Sequence, residues 1–298
     1  MKDPLLVATD GSSEATAALQ FAAAYAASEG VPVEVVSVAA PLSDLPMPLP
    51  HRDELEHAHA QGVAAAVRAR LREIVGPVGW PIHVCLGRPA PAICSLARRR
   101  SARMVVLGVA AGRAQESTVA VEMLHLADRP VLVARSGRLP RRVLVGVDFR
   151  PSSHRAAALA LRLLRPGGEA HLVHVRPSLD FPAAAVWDWG RCYDCAVEGG
   201  FRELIGRLER EDIRVTAEIL AGAPDDVLVS TAEEREADLL AIGSDGYICN
   251  DRVVLGQVAR SILSRPTVPV LATPVTTLMD GGPEELTASG TVVSHGPS

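Results

Sequence analysis

Two aspartates stand at matching places in this 298-residue chain, each ending a short apolar run. Asp10 follows Leu5-Leu6-Val7-Ala8-Thr9, and Asp148 follows Val143-Leu144-Val145-Gly146-Val147. A carboxylate at the carboxyl end of a buried strand can accept hydrogen bonds from a ribose hydroxyl or a base edge. Its plainer role is that of a turn former or helix cap. Glycine spacing is the second chemical feature. Gly243-Ser244-Asp245-Gly246-Tyr247-Ile248-Cys249-Asn250-Asp251-Arg252-Val253-Val254-Leu255-Gly256-Gln257-Val258 spells Gly-x2-Gly-x9-Gly. Glycines let backbone N–H groups approach phosphate oxygens, and a helix that follows adds partial positive charge at its amino end. Third is Cys192-Tyr193-Asp194-Cys195, a weak candidate for metal or redox chemistry. Structural zinc takes about four ligands, and only one such pair is present. Partners would have to come from His51, His57 and His59, whose plainer place is a solvated helix start. Two free thiols on a loop is the reading preferred for Cys192 and Cys195, and no metal is expected.

These residues need elements to hold them, and the chain supplies the elements twice. Gly87-Arg88-Pro89 matches Gly222-Ala223-Pro224, Met104-Val105-Val106-Leu107-Gly108 matches Leu239-Leu240-Ala241-Ile242-Gly243, and Pro130-Val131-Leu132 matches Pro269-Val270-Leu271. Short continuous apolar runs alternate with longer amphipathic ones, the pattern of buried parallel strands and covering helices. Strands are predicted near 5–10, 33–38, 83–86, 104–107 and 131–134, and again near 143–148, 170–175, 214–220, 239–242 and 269–272. Helices in the first half are predicted near 13–29, 54–74, 90–100 and 117–127. Each half is a five-stranded βαβ series, so the fold class is α/β with a mainly parallel sheet. Ser12-Ser13 and Ser152-Ser153 fall where helix N-caps belong. The halves are set at 1–137 and 141–274, joined by the basic segment Arg138-Leu139-Pro140-Arg141, and 275–298 is expected to be a disordered tail. Arg98-Arg99-Arg100 closes a helix, where cations complement the carbonyl end. Trp187 and Trp189 are placed in an Ala-rich loop.

Composition narrows the function. With 30 Lys+Arg against 35 Asp+Glu, the net charge of −5 offers no basic excess for nucleic acid or an anionic membrane surface. No run reaches the length of about 20 apolar residues that a bilayer span needs. Five cysteines are an odd number, which argues against a disulfide framework and for a reducing, cytoplasmic setting. There is no Walker Gly-Lys-Ser/Thr, no Gly-x-Ser-x-Gly elbow, no His-Glu-x-x-His and no Ser-Gly-Gly-x-Asp-Ser or His-x-Gly-His, so no catalytic residue is assigned.

Taken in order, the strand-ending Asp, the Gly-x-Pro after strand three, Gly-x2-Gly-x9-Gly after strand four and a Pro-Val-Leu last strand resemble a tandem universal stress protein. That resemblance implies strand order 3-2-1-4-5 in each half, pairing of the halves through their last strands, and in many members an ATP site. It implies nucleotide contacts at Val147, Asp148, Val175, Ile242, Gly243, Gly246, Gly256, Gln257 and Val258. A degenerate second site would comprise Asp10, Val38, Gly108, Gly112, Ser117 and Thr118, because the first-half loop is four residues shorter and Ser117 stands in the place of Gly256. The chain departs from the family in placing Gln257 where Ser or Thr is usual, Tyr247 where a basic residue is frequent, and Asp245 and Asp251 in a loop meant for an anion. Like charges near a phosphate raise the importance of Mg²⁺. ATP is expected as a regulatory ligand bound chiefly in the second half, with at most slow hydrolysis and with homodimerisation as a further expectation. A nucleotide-independent interaction scaffold is the alternative.

Overall fold

The computed structural model describes residues 2–12, 15–42, 51–108, 118–176, 186–208, 212–244, 247–249, 252–254, 256–264 and 267–274. The predicted tail at 275–298 lies outside them. The first half runs β1 (Leu5–Ala8), α1 (Thr16–Glu29), β2 (Val33–Ala39), α2 (Arg52–Val75), β3 (Ile82–Leu86), α3 (Pro89–Arg99), β4 (Met104–Gly108), α4 (Thr118–Leu126) and β5 (Val131–Ala134). The second runs β6 (Arg142–Gly146), α5 (Pro151–Leu163), β7 (Glu169–Arg176), α6 (Val186–Leu208), β8 (Arg214–Ala221), α7 (Pro224–Glu234), β9 (Leu239–Ser244), the short pair β10 (Tyr247–Cys249) and β11 (Arg252–Val254), α8 (Gln257–Ser264) and β12 (Val270–Pro274).

Ten of these strands form one sheet in the order β3-β2-β1-β4-β5-β12-β9-β6-β7-β8. Each half therefore has the order 3-2-1-4-5, and all its pairings are parallel. The halves join where β12 meets β5 antiparallel, with Val270, Leu271 and Ala272 opposite Val133, Leu132 and Val131. The two expected five-stranded sheets are thus merged into one.

Strands this apolar must be covered on both faces, and helices cover each side. On one, α1, α2, α5 and α6 bury Phe21, Tyr25, Leu161 and Phe201 against Val7, Val106, Val145 and Ala241. On the other, α3, α4, α7 and α8 bury Ile93, Met123, Leu228 and Ile262 against Leu6, Val105, Leu144 and Ile242. Both cores run through both halves. Alternation along a strand sends neighbouring residues to opposite faces, so Val147 belongs to the α5/α6 core, whereas Val175 and Ile242 belong to the α7/α8 core.

Several local expectations change. Ser152 and Ser153 are not N-caps: Arg150 is the cap residue of α5, Pro151 begins the helix, and both serines are buried within its first turn. Proline has no N–H to leave unpaired and a φ already set for the helix, which moves the cap back from the serine pair to Arg150. In α1 the cap position is Ala15, without a side-chain hydrogen bond. Cys192 and Cys195 lie on α6 rather than on a loop, and Trp187 and Trp189 fall on its first turn. The segment between Gly246 and Gly256, expected to be a plain loop, contains the hairpin β10–β11, with Ile248 opposite Val253. As anticipated, the arginines at the end of α3 serve the structure. Arg98 donates to the Leu126 carbonyl, and Arg100 binds the buried Glu34 through Nε and a terminal guanidinium nitrogen.

Candidate functional site

In a doubly wound sheet, successive connections leave on opposite faces where the strand order reverses, opening a crevice at the carboxyl strand ends. In the second half this switch lies between β6 and β9. The chain leaving β6 is held firmly. Val147 N–H donates to the Val173 carbonyl at 2.8 Å, and His174 Nδ1 lies 2.7 Å from the Val147 carbonyl oxygen. A carbonyl only accepts, so Nδ1 donates to it, while Nε2 lies 2.6 Å from the Tyr193 hydroxyl oxygen. His174 is thus a buried brace across β6, β7 and α6 that the sequence reading did not single out.

Asp148 comes next. Its Oδ1 accepts the Arg150 N–H at 3.0 Å, and its own N–H donates to Ser153 Oγ at 3.3 Å. The first half repeats the turn: Asp10 Oδ1 accepts the Ser12 N–H at 2.9 Å. The turn-forming role is therefore real in both halves, yet the Asp148 side chain stays 52% exposed at the crevice. The following residue is left-handed in both copies, Gly11 at φ +80° and Phe149 at φ +62°. Glycine adopts this freely, while a bulky residue does so at a cost of roughly 1–3 kcal/mol. Ring packing holds Phe149 there: its centroid is 5.3 Å from those of His174 and Phe201. A Cβ on Gly200 would stand 2.6 Å from the Phe149 ring, so glycine at that helical position makes room for it.

The other wall is the end of β9. Gly243 faces α5, where an added Cβ would lie 2.4 Å from Ser152 Oγ and 2.8 Å from the Ser153 nitrogen. This glycine permits the amino end of α5 to seat on the strand. Ser244, one residue on, faces the α7/α8 side with Ile242. It is buried, and among the described residues its Oγ has no hydrogen-bond partner. A buried hydroxyl without a partner is costly, which marks Ser244 as a position the sequence reading quoted within the loop but did not assign. Its counterpart in the first half is Val109. Gly256 precedes α8 and its carbonyl accepts the Arg260 N–H at 3.2 Å, leaving the first N–H groups of α8 at Gln257, Val258 and Ala259 without intrahelical partners. Gln257 is exposed, and Val258 packs partly against the α7/α8 core.

Of the residues singled out in sequence, Val147 and Asp148 follow β6, Ile242 and Gly243 lie at the end of β9, Gly256, Gln257 and Val258 lie at the start of α8, and Val175 stands near the end of β7. Gly246 lies outside the described residues. In the first half, Asp10 and Val38 occupy the matching strand ends and Gly108 ends β4. Gly112 and Ser117 lie outside the described residues, and Thr118 begins α4. Cys192 and Cys195 are exposed on α6. Among the described residues no three His, Cys, Asp or Glu side chains converge as metal ligands. No described helix is long and apolar enough to cross a membrane.

Comparison with known proteins accords with this geometry. The model of the universal stress protein family matches residues 1–135 and again 140–274. The chain belongs to the universal stress protein family. A universal stress protein of Mycolicibacterium smegmatis is 27% identical over 289 residues, covering 90% of this chain and 95% of that one. Another from Mycobacterium tuberculosis is 29% identical over 286 residues, with 90% and 95% covered. The crystal structure of a universal stress protein from Archaeoglobus fulgidus superposes with a TM-score of 0.66 over 91% of this chain and 98% of its own, at 24% identity. These relatives share the tandem length of this universal stress protein, and the archaeal structure shares its fold.

Proposed function

We propose that this universal stress protein binds ATP as a regulatory ligand, chiefly in its second half, and acts in the cytoplasm. The observation that carries the reading is the grouping at the β6/β9 switch point: the half-exposed carboxylate of Asp148, the buried unpartnered Ser244 Oγ, and the glycine-preceded amino end of α8. A carboxylate suits a ribose hydroxyl, whereas a hydroxyl and open helix N–H groups suit phosphate oxygens. Val147, Val175 and Ile242 supply apolar surface for the base, and Gly243, Gly246, Gly256, Gln257 and Val258 form the phosphate side. Arg252 is the sole cation between Gly243 and Gly256, so Mg²⁺ would offset the charge of Asp245 and Asp251. The two domains divide at Arg138–Arg141. Asp10, Val38, Gly108, Gly112, Ser117 and Thr118 make up the weaker first-half counterpart, where Val109 stands in place of Ser244.

Calorimetric titration of the nucleotide-stripped full chain with ATP, with and without Mg²⁺, tests the reading. A site lost in Gly246→Glu is the expected result. A second site that Asp10→Ala removes would end the preference for the second half. Absence of binding at millimolar ATP would overturn nucleotide binding and leave the interaction scaffold as the function.

A further inference from the structure

The basic linker between the halves is used by nothing described so far. In a chain of net charge −5 it places Arg138, Arg141 and Arg142 within five residues. The structure sets them around a cavity of about 750 Å³ at the amino ends of β6 and β7, together with Arg165, Glu169 and Asp238. Along β6 and its continuation, the six residues from Arg142 to Asp148 put this groove roughly 20 Å from the β6/β9 crevice.

The groove is built by the backbone. Arg165 N–H donates to the Pro140 carbonyl at 3.1 Å, and Glu169 N–H donates to the Arg141 carbonyl at 2.8 Å. Arg141 and Arg142 N–H both donate to one oxygen of Asp238, at 2.8 and 2.9 Å. The Asp238 N–H returns a bond to the Arg142 carbonyl at 2.8 Å. Gly168 closes the corner, since a Cβ there would lie 2.9 Å from the carbonyl oxygens of both Arg141 and Arg165. The backbones of Arg141, Arg142 and Arg165 are therefore fixed before any ligand arrives, which lowers the ordering cost of binding.

Charge is unbalanced across this frame. Asp238 spends an oxygen on two backbone N–H groups, Glu169 sits 3.9 Å from Arg214, and Arg142 pairs with Glu236 at 2.9 Å. Among the described residues Arg138, Arg141 and Arg165 have no carboxylate within ion-pair distance, and all three are exposed. Guanidinium groups sharing one groove repel each other unless an anion lies between them. Their planar forks match phosphate oxygens two at a time.

We propose that this groove binds an oligophosphate, a short chain of two or more linked phosphates. Three unpaired arginines from two segments exceed what one phosphate can engage. A long nucleic acid is disfavoured because Glu169, Glu236 and Asp238 bound the groove and the whole chain is acidic.

The test is calorimetric titration of the full chain with inorganic tripolyphosphate at two salt concentrations. Expected are one site per chain, weakening with salt, at least a tenfold loss in Arg138→Ala/Arg165→Ala, and a smaller loss in Arg138→Lys/Arg165→Lys. Unchanged thermal melting of these variants assigns the loss to the groove. Gly246→Glu should leave tripolyphosphate binding intact, which separates this site from the proposed nucleotide site. In that variant, competition by ATP would assign the groove to a nucleoside-borne phosphate chain, and lack of competition to a free one. The proposal is overturned if tripolyphosphate fails to bind at millimolar concentration, if the double Ala variant binds it as the parent does, if Gly246→Glu removes it, or if duplex DNA displaces it with higher affinity.

Discussion

Replacing Gly243 by alanine should destabilise the protein, and opposing effects set the size of the loss. Gly243 has an ordinary strand backbone, so the substitution restricts the unfolded chain and by itself stabilises by about 0.4–1 kcal/mol. Against this, the new Cβ would stand 2.4 Å from Ser152 Oγ and 2.8 Å from the Ser153 nitrogen. Both atoms belong to the fully packed first turn of α5, where Ser152 is 0% exposed and Ser153 is 1% exposed. Overpacking of this kind costs about 1–3 kcal/mol, so the net loss is about 1–2 kcal/mol. At about 2–4 °C per kcal/mol for a chain approaching this size, thermal melting should shift down by roughly 3–6 °C. Ser152→Ala supplies the control. It removes the nearer atom together with a buried hydroxyl that has no partner, and should stabilise by about 1 kcal/mol on its own. In that background the Gly243→Ala penalty should fall by a similar amount, a coupling that urea titration of the four proteins measures directly. Equal penalties in both backgrounds, or a Gly243→Ala protein as stable as the parent, would refute the seating of α5 on β9.

Three further outcomes are expected. Arg100 holds the Glu34 carboxyl below its ordinary pKa, burial opposes this, and the His83 hydrogen bond adds to the lowering. The stability contributed by a depressed carboxyl is present above the unfolded value near 4.3 and lost as pH falls through the folded one, so urea midpoints should drop below about pH 4.5. Glu34→Gln should be less stable at neutral pH and flatter in acid, and parallel curves would count against the network. Burial pushes the Cys94 thiol up to about 11, and also raises Cys85, while Cys192 and Cys195 are exposed. In a Cys249→Ser protein, thiol titration at pH 8 should show two fast groups at the exposed positions, with Cys94 far slower because burial disfavours its thiolate; four equally fast thiols would contradict this burial pattern. Gln257→Ser places a short hydroxyl at the amino end of α8 and should tighten ATP binding by about three- to tenfold, equivalent to about 0.7–1.4 kcal/mol. A weaker calorimetric constant would show that the amide is the better donor there.

Strand positions were readable because runs such as Met104–Leu107 and Leu239–Ile242 are buried on both faces and hence continuously apolar. Repetition fixed their order. Helix starts were less readable, since Ser152-Ser153 has the chemistry of a cap while Pro151 has the geometry of a first residue, and geometry prevails. The amino half of α6 reads as loop in the sequence, with Trp187 and Trp189 in an Ala-rich stretch and Cys192 and Cys195 beside them; burial of Val197, Phe201 and Leu204 against the sheet carries the helix through it. Tyr247-Ile248-Cys249 and Arg252-Val253-Val254 carry a strand signal that the surrounding glycines obscured. Within the candidate site, strand ends were visible in the sequence, but the unpartnered state of Ser244 depends on what packs over it, which no spacing encodes.

The antiparallel meeting of β5 and β12 has a consequence for how the two halves can change. Because the strands of the halves point in opposite directions, their carboxyl ends open at opposite ends of the ten-stranded sheet. In a dimer of identical chains built this way, every substitution would strike both halves at once, and neither crevice could change while the other was kept. Fusing the partners into one chain lifts that restriction. Ser117 can stand where the other half has Gly256, Val109 where it has Ser244, and Gly11 where it has Phe149, while the shared sheet continues to hold both halves together. The fusion also makes the linker an invention with no counterpart in either half, free to acquire its arginines under no obligation to symmetry.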